Sequence, residues 1–148
     1  MNTKNKSNLK SDANVPNILK QDGVSQSVFN MANQEISSVP ELIEKYGRKS
    51  SWSHTLVDTE SNSATLICQL PGEGNRRHYH PDWNEWWFIV EGAWEWEIEG
   101  EKKIIKQGDL VFLKKNRKHK ITARGERVAI RIAVSRYDVA HVYDNNDY

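Results

Sequence analysis

His78 and His80 stand two residues apart in the stretch RRHYHPDWNEWWFIVEG (76–92), and Glu85 follows within the same run. Alternate residues of an extended strand face the same way, so the two imidazoles project side by side, as a divalent metal takes two histidines from one strand. Pro81-Asp82-Trp83-Asn84 is a short link that can bend the chain and start a next strand, from which Glu85 can offer a carboxylate. A third imidazole has to arrive from elsewhere, and His119 lies beyond the hairpin GDLVFLKKNRKHK. Taken singly, each residue also fits a plainer role, as a surface histidine pair or a solvated strand end. The adjacent Trp86 and Trp87 keep open an aromatic-rich core strand with incidental histidines.

The elements that must position these groups read mostly as strands. SSVPELIEKYG is the exception. Ser38 and Glu41 fit a capping box, Pro40 suits a first turn and Gly47 a stop, which predicts one short helix over about 39–46. From Trp52 the period becomes two. ATLICQL (64–70) closes at the Pro71-Gly72 turn, and Trp94, Trp96 and Ile98 alternate with Glu95, Glu97 and Glu99. Gly100 and Gly108-Asp109 mark further turns. In RVAIRIAVS, Val128, Ile130, Ile132 and Val134 alternate with Arg127, Ala129, Arg131 and Ala133. Short strands at this spacing, without crossover helices, predict an all-β sandwich or barrel. Residues 1–26, rich in Asn, Ser, Lys and Asp, are expected to form a flexible tail before one domain at 27–148.

Bulk properties exclude more than they select. The 148 residues suffice for one core, and 21 basic against 20 acidic residues give a net +1, so charge makes no case for nucleic acid or an acidic membrane. Apolar runs are strand-sized, the first ten residues are polar, and Cys68 has no internal partner. A cytoplasmic protein with no membrane span is expected. Five of the six tryptophans crowd into one segment, at 83, 86, 87, 94 and 96. If Glu85 faces inward, so do Trp87 and Ile89, while Trp86, Phe88 and Val90 face away. Trp86, Trp94 and Trp96 are taken as outward and expected to seal a homodimer. His54 and His141 read as structural, and Cys68 as a small buried hydrophobe.

Over about residues 64–135 the chain resembles the cupin superfamily. Gly72, His78, His80, Glu85 and Gly92 meet every spacing of that family's first motif. Gly108 and His119 match the second motif, whereas Lys114, Asn116 and Ala123 replace its Pro, second Gly and Asn. Asn116 tolerates the left-handed backbone a glycine would supply. The resemblance implies a double-stranded β-helix, or jelly roll, and a metal held by His78, His80, Glu85 and His119. Three imidazoles and a carboxylate suit Fe(II), Mn(II), Ni(II) or Zn(II).

Residues 76–92 are also similar to the first-motif region of 3-hydroxyanthranilate dioxygenases. Shared features are Arg76 two residues before His78, Tyr79-His80, and Glu85 ahead of an aromatic pair. Those enzymes carry Asp in place of His78, one more residue before their Glu, and a second Arg in place of Ala123. This similarity implies an iron(II) dioxygenase for a small anionic or phenolic molecule. Arg76 would fix a substrate carboxylate and Trp87 would wall the pocket. Arg131 is either a second anion contact or part of a surface face. A non-oxidative lyase or isomerase on a sugar or small acid is the alternative. It lacks an evident acid–base residue beyond the ligands unless Tyr143, Tyr137 or Glu91 folds back. A non-catalytic binder using the tryptophans is a third reading.

Overall fold

The period-two segments become two facing six-stranded sheets in the computed structural model, which describes residues 10–11, 15–136 and 140–143. In chain order the elements begin with β1 (Lys10–Ser11), α1 (Val15–Gln21), β2 (Gln26–Val28), α2 (Val39–Tyr46), β3 (Trp52–Asp58) and β4 (Ser63–Gln69). They continue with β5 (Gly74–Tyr79), β6 (Glu85–Glu91), β7 (Ala93–Ile98) and β8 (Glu101–Lys106). β9 (Leu110–Leu113), β10 (His119–Arg124), β11 (Ala129–Ser135) and β12 (Ala140–Tyr143) complete the described elements. One sheet runs β1-β12-β5-β10-β7-β8 and the other β2-β3-β4-β11-β6-β9. All pairings are antiparallel except β2 with β3. The expected all-β double-stranded β-helix is what forms.

Between the sheets, Trp87 and Ile89 of β6 meet Trp94 and Trp96 of β7 and Ile121 of β10. Trp94 and Trp96 are therefore buried, which corrects the expectation that they face outward: β7 is an inner strand, and its tryptophan face is the barrel interior. Trp86 and Phe88 do remain partly exposed, beside the cross-strand neighbours Phe112 and Leu110 of the edge strand β9.

The outer face of the second sheet is covered by α2, whose Ile43 packs with Trp52, Leu66, Cys68 and Ile130. The helix forms as its sequence requires. Ser38 Oγ accepts the Glu41 N–H, Pro40 sits in the first turn, and Gly47, at φ 78°, donates its N–H to Ile43 O. With α2 on one side and the barrel core on the other, β11 is buried on both faces, so Arg131 lies fully inside rather than on a surface. Cys68 is buried as expected, and burial pushes its thiol up to about 12.

An unstructured segment through residue 26 is not what the described residues show. α1 and β2 lie there, and Leu19 and Val24 are buried against Ile67. Residues 1–9 and 12–14 of that segment lie outside the described residues. No described helix is long and apolar enough to cross a membrane.

Candidate metal centre

Two strands and one missing side chain bring the histidines together. β5 and β10 pair with His78 opposite His119, and Gly74 permits the approach, because a Cβ there would collide with the Ile121 carbonyl. The loop entering β10 turns at Asn116, at φ 67°, whose N–H donates to His80 O at 2.7 Å. Asn116 thus supplies the left-handed backbone expected of it.

His78, His80 and His119 are buried and each offers one ring nitrogen, all within 4.8 Å of one another. Their other nitrogens fix the tautomers. His78 Nδ1–H donates to Arg76 O at 2.6 Å, His80 Nδ1–H to Ala140 O at 2.9 Å and His119 Nδ1–H to Arg117 O at 3.0 Å. A carbonyl oxygen can only accept, so each ring carries a proton on Nδ1, and the neutral His78 and His119 rings keep their Nε2 lone pairs for another partner. Nε2 of His78 and of His119 has no hydrogen-bond partner among the described residues. Burial holds the His78 pKa well below the usual imidazole value, with His119, His141 and His80 adding to the effect. It holds His119 down at about 4, against the attraction of Glu85. Orphaned, unprotonated, convergent nitrogens are what a borderline divalent ion requires. The histidine group fits a metal.

Glu85 stands one step behind that group. Its Oε2 lies 2.8 Å from His80 Nε2, and its Oε1 accepts the Trp87 indole N–H. Burial raises its pKa, but the charge and hydrogen bond of His80 overcome this and hold it at about 2. Both His80 nitrogens then face acceptors, so without metal this ring is arranged as an imidazolium paired with a carboxylate. An entering ion would replace that proton.

The remaining predicted site residues divide. Trp87 and Glu85 line a cavity of about 40 Å³ together with Ile18, Leu19, Asn75 and His141. Arg76 lies to the side, its Nε 2.5 Å from Asp22 Oδ1 and its guanidinium 4.2 Å from the Tyr143 ring centre. Arg131 is sandwiched between Trp87 and Trp94 at 4.5 and 4.4 Å, and donates to Gln69 Oε1 and Asn75 Oδ1 at 2.5 and 3.0 Å. It touches the cavity lining through Asn75 and Trp87, and burial lowers its pKa to about 9.

His141, structural by its sequence context, instead stacks on His78 at 4.4 Å and meets His80 edge-on at 4.5 Å. A lone histidine carries no spacing signal. The available clue was the alternation of AHVY, which makes a strand able to pair with β5. His54 is structural as expected: its Nδ1 meets Tyr46 Oη at 2.8 Å beneath α2. Tyr143 lies 5.5 Å from His78, Glu91 is paired outside the barrel with Arg48, and Tyr137 is not among the described residues.

Fold and site together define a class, the double-stranded β-helix whose interior histidines can hold a metal. Residues 65–135 match the family model of the cupin domain, and that segment belongs to the cupin superfamily. Among curated proteins the chain is similar to "Tetracenomycin polyketide synthase protein TcmJ" of Streptomyces glaucescens, at 29% identity over 77 residues, covering 49% of this chain and 52% of that protein. The match thus spans about half the length of that relative. Among solved structures, a conserved protein with a double-stranded β-helix domain from Klebsiella pneumoniae superposes with a TM-score of 0.65 at 19% identity, over 77% of this chain and 94% of its own. The polyketide cyclase RemF from Streptomyces resistomycificus gives 0.56 at 18% identity, over 68% and 77%. At these identities the two structures speak for the fold alone.

Proposed function

We propose that this protein is a metal-dependent enzyme acting on a small anionic or phenolic molecule. The ion is held by His78, His80 and His119, with Glu85 joining or orienting them. The observation that carries the reading is the convergence of three buried imidazoles, each with its Nδ1–H on a backbone carbonyl and one ring nitrogen within 4.8 Å of the others. A divalent ion bound there supplies Lewis-acid polarisation of a substrate oxygen and, as Fe(II), electrons for chemistry with dioxygen. The chain's own residues do the rest. Trp87 walls the cavity and orients Glu85 through its indole N–H, and the buried rings keep bulk water away. Arg76 supplies the cation for a carboxylate.

Within this class we favour an iron(II) dioxygenase, supported by the similarity of residues 76–92 to dioxygenases of aromatic acids. A non-oxidative lyase, isomerase or ring-closing reaction is the second reading. It is favoured by His141 and Tyr143, whose imidazole and hydroxyl lie beside His78 where acid–base chemistry on a bound substrate would use them, and by the likeness to a polyketide synthase protein. Metal analysis of protein purified without chelators, followed by an oxygen-uptake screen on small carboxylates and catechols, separates them. Iron with uptake supports the dioxygenase, and zinc or nickel without uptake supports the second reading. A chain that takes up no metal contradicts both.

A further inference from the structure

The cavity beside the histidines has a wall that does not belong to the barrel. Ile18 and Leu19 of α1 line it opposite Glu85, Trp87 and His141. At about 40 Å³ it has room for a few waters and for no organic substrate. α1 and the turn after it are fastened at three points. Leu19 packs with Val24 and Ile67, Gln21 Oε1 accepts from the Arg76 guanidinium at 3.3 Å, and the Asp22 carboxylate reaches the same guanidinium at 2.5 Å. The last fastening is incomplete: the Asp22 side chain is 1% exposed, yet its Oδ2 has no hydrogen-bond partner among the described residues. A buried carboxylate oxygen left unpaired costs free energy, so this contact holds less firmly than a satisfied ion pair. Beyond Asp22 the chain passes through Gly23, at φ 101°, whose carbonyl is held by the Ser51 hydroxyl at 3.0 Å. It is secured further by Ser25 to Ser51 and by the pairing of β2 with β3. α1 is thus a short segment on a glycine pivot, and it places a carboxylate on the arginine beside the site.

We propose that α1 is a lid latched by Asp22, and that a substrate carboxylate enters by replacing the Asp22 carboxylate on Arg76. The site then selects small carboxylates over neutral molecules of the same shape, because only a carboxylate can take over the arginine as the lid leaves. This builds on the site described above but does not require a bound metal.

The full chain and its Asp22→Asn variant are titrated with benzoate and with benzyl alcohol, following tryptophan fluorescence. Hydrogen–deuterium exchange is read at residues 18–24, with the core strands β4 and β11 as a folding control. If the closed lid leaves about a tenth of molecules open, Asp22→Asn binds benzoate about ten-fold tighter than the natural chain. Benzyl alcohol, which cannot pair with Arg76, binds more weakly than benzoate in both chains and gains at most the same factor from the opened lid. Exchange at 18–24 rises in the variant, and in the natural chain on adding benzoate. Arg76→Gln removes the preference for benzoate.

Equal benzoate affinity in the two chains, no benzoate binding to Asp22→Asn, or tighter binding without faster exchange at 18–24 would each overturn the lid. Zinc uptake by the same samples is measured separately. A chain that shows the Asp22 effect but takes up no zinc refutes the metal enzyme and keeps the lid; a zinc-loaded chain without the effect does the reverse.

Discussion

Two short helices close the two sides of the second sheet, and they are built to different standards. α2 has a serine cap, a proline in its first turn, a glycine stop, and Ile43 buried over Trp52, Leu66 and Ile130. α1 has no acidic residue in its first turn and is fastened by Leu19, Val24, a 3.3 Å hydrogen bond from Arg76 to Gln21 and the half-satisfied Asp22–Arg76 contact. What each covers differs in kind. Beneath α2 lies an apolar layer with one hydrogen-bonded histidine, His54; beneath α1 lies a cavity edged by Glu85, Trp87 and His141. Apolar surface rewards a permanent cover, whereas buried ligands with unused lone pairs are useful only if something can reach them. Stability and chemistry are thus assigned to opposite faces of one sheet.

The contrast is broken most severely on the α2 side. Trp52 is almost fully buried and donates its indole N–H to Gly47 O at 2.9 Å, so Trp52→Ala should cost about 3–5 kcal/mol in denaturant unfolding. The folded fraction should still bind metal; loss of metal binding by folded Trp52→Ala would join the two faces that we separate.

On the site side the corresponding cost appears with pH. Folded His119 titrates at about 4 and folded His78 also lies low, while unfolded imidazoles titrate near 6.5. As pH falls from 6.5 towards 4, the unfolded chain takes up protons that the folded chain refuses. The metal-free protein should therefore lose stability across that window, by about 3 kcal/mol for His119 alone. Asp22, raised by burial above its usual value, acts in the opposite sense just above pH 3.8. Glu85 matters only below 4.5, where its stabilisation is lost as pH falls towards about 2. Thermal unfolding of chelated protein between pH 4 and 7 checks the sign.

Trp87→Phe sharpens the comparison further. It keeps an aromatic wall but removes the N–H that holds Glu85, and metal affinity should fall about ten-fold in a competition titration, with an unfolding cost of about 1–3 kcal/mol from the lost volume and hydrogen bond. The smallest effect is expected at the α2 cap. Ser38→Ala removes the acceptor of the Glu41 N–H and should cost about 1 kcal/mol, leaving metal binding untouched.

Much of this arrangement is legible in the sequence where a local rule governs. The cap residues delimit α2, and strand parity from Glu85 correctly turns Trp87 and Ile89 inward and Trp86 and Phe88 outward. The glycine and histidine spacings point to β5, β6 and β10, and three of those side chains converge. Parity fails where a strand is covered on both faces. Alternation in β11 cannot say which side is the barrel, and the interior turns out to take Ala129 and Arg131 while Ile130 lies under α2. Trp94 and Trp96 depart from the expected outward orientation for a related reason, since the inward face of β7 is set by its place between β10 and β8. α1 is too short to show a helical period, and it exists because Leu19 and Val24 find Ile67 across the sequence. His141 joins the site through the pairing of β12 with β5, a contact no spacing announces.

The central claim is that three imidazoles with carbonyl-bound Nδ1–H groups hold one ion. Cobalt(II) titration followed by visible absorption tests it directly. The natural chain should saturate at about one equivalent, and His119→Ala, folded by circular dichroism, should bind at least about 100-fold more weakly. A natural chain that gives no cobalt spectrum, or a His119→Ala chain that binds cobalt as tightly as the natural one, would contradict the account.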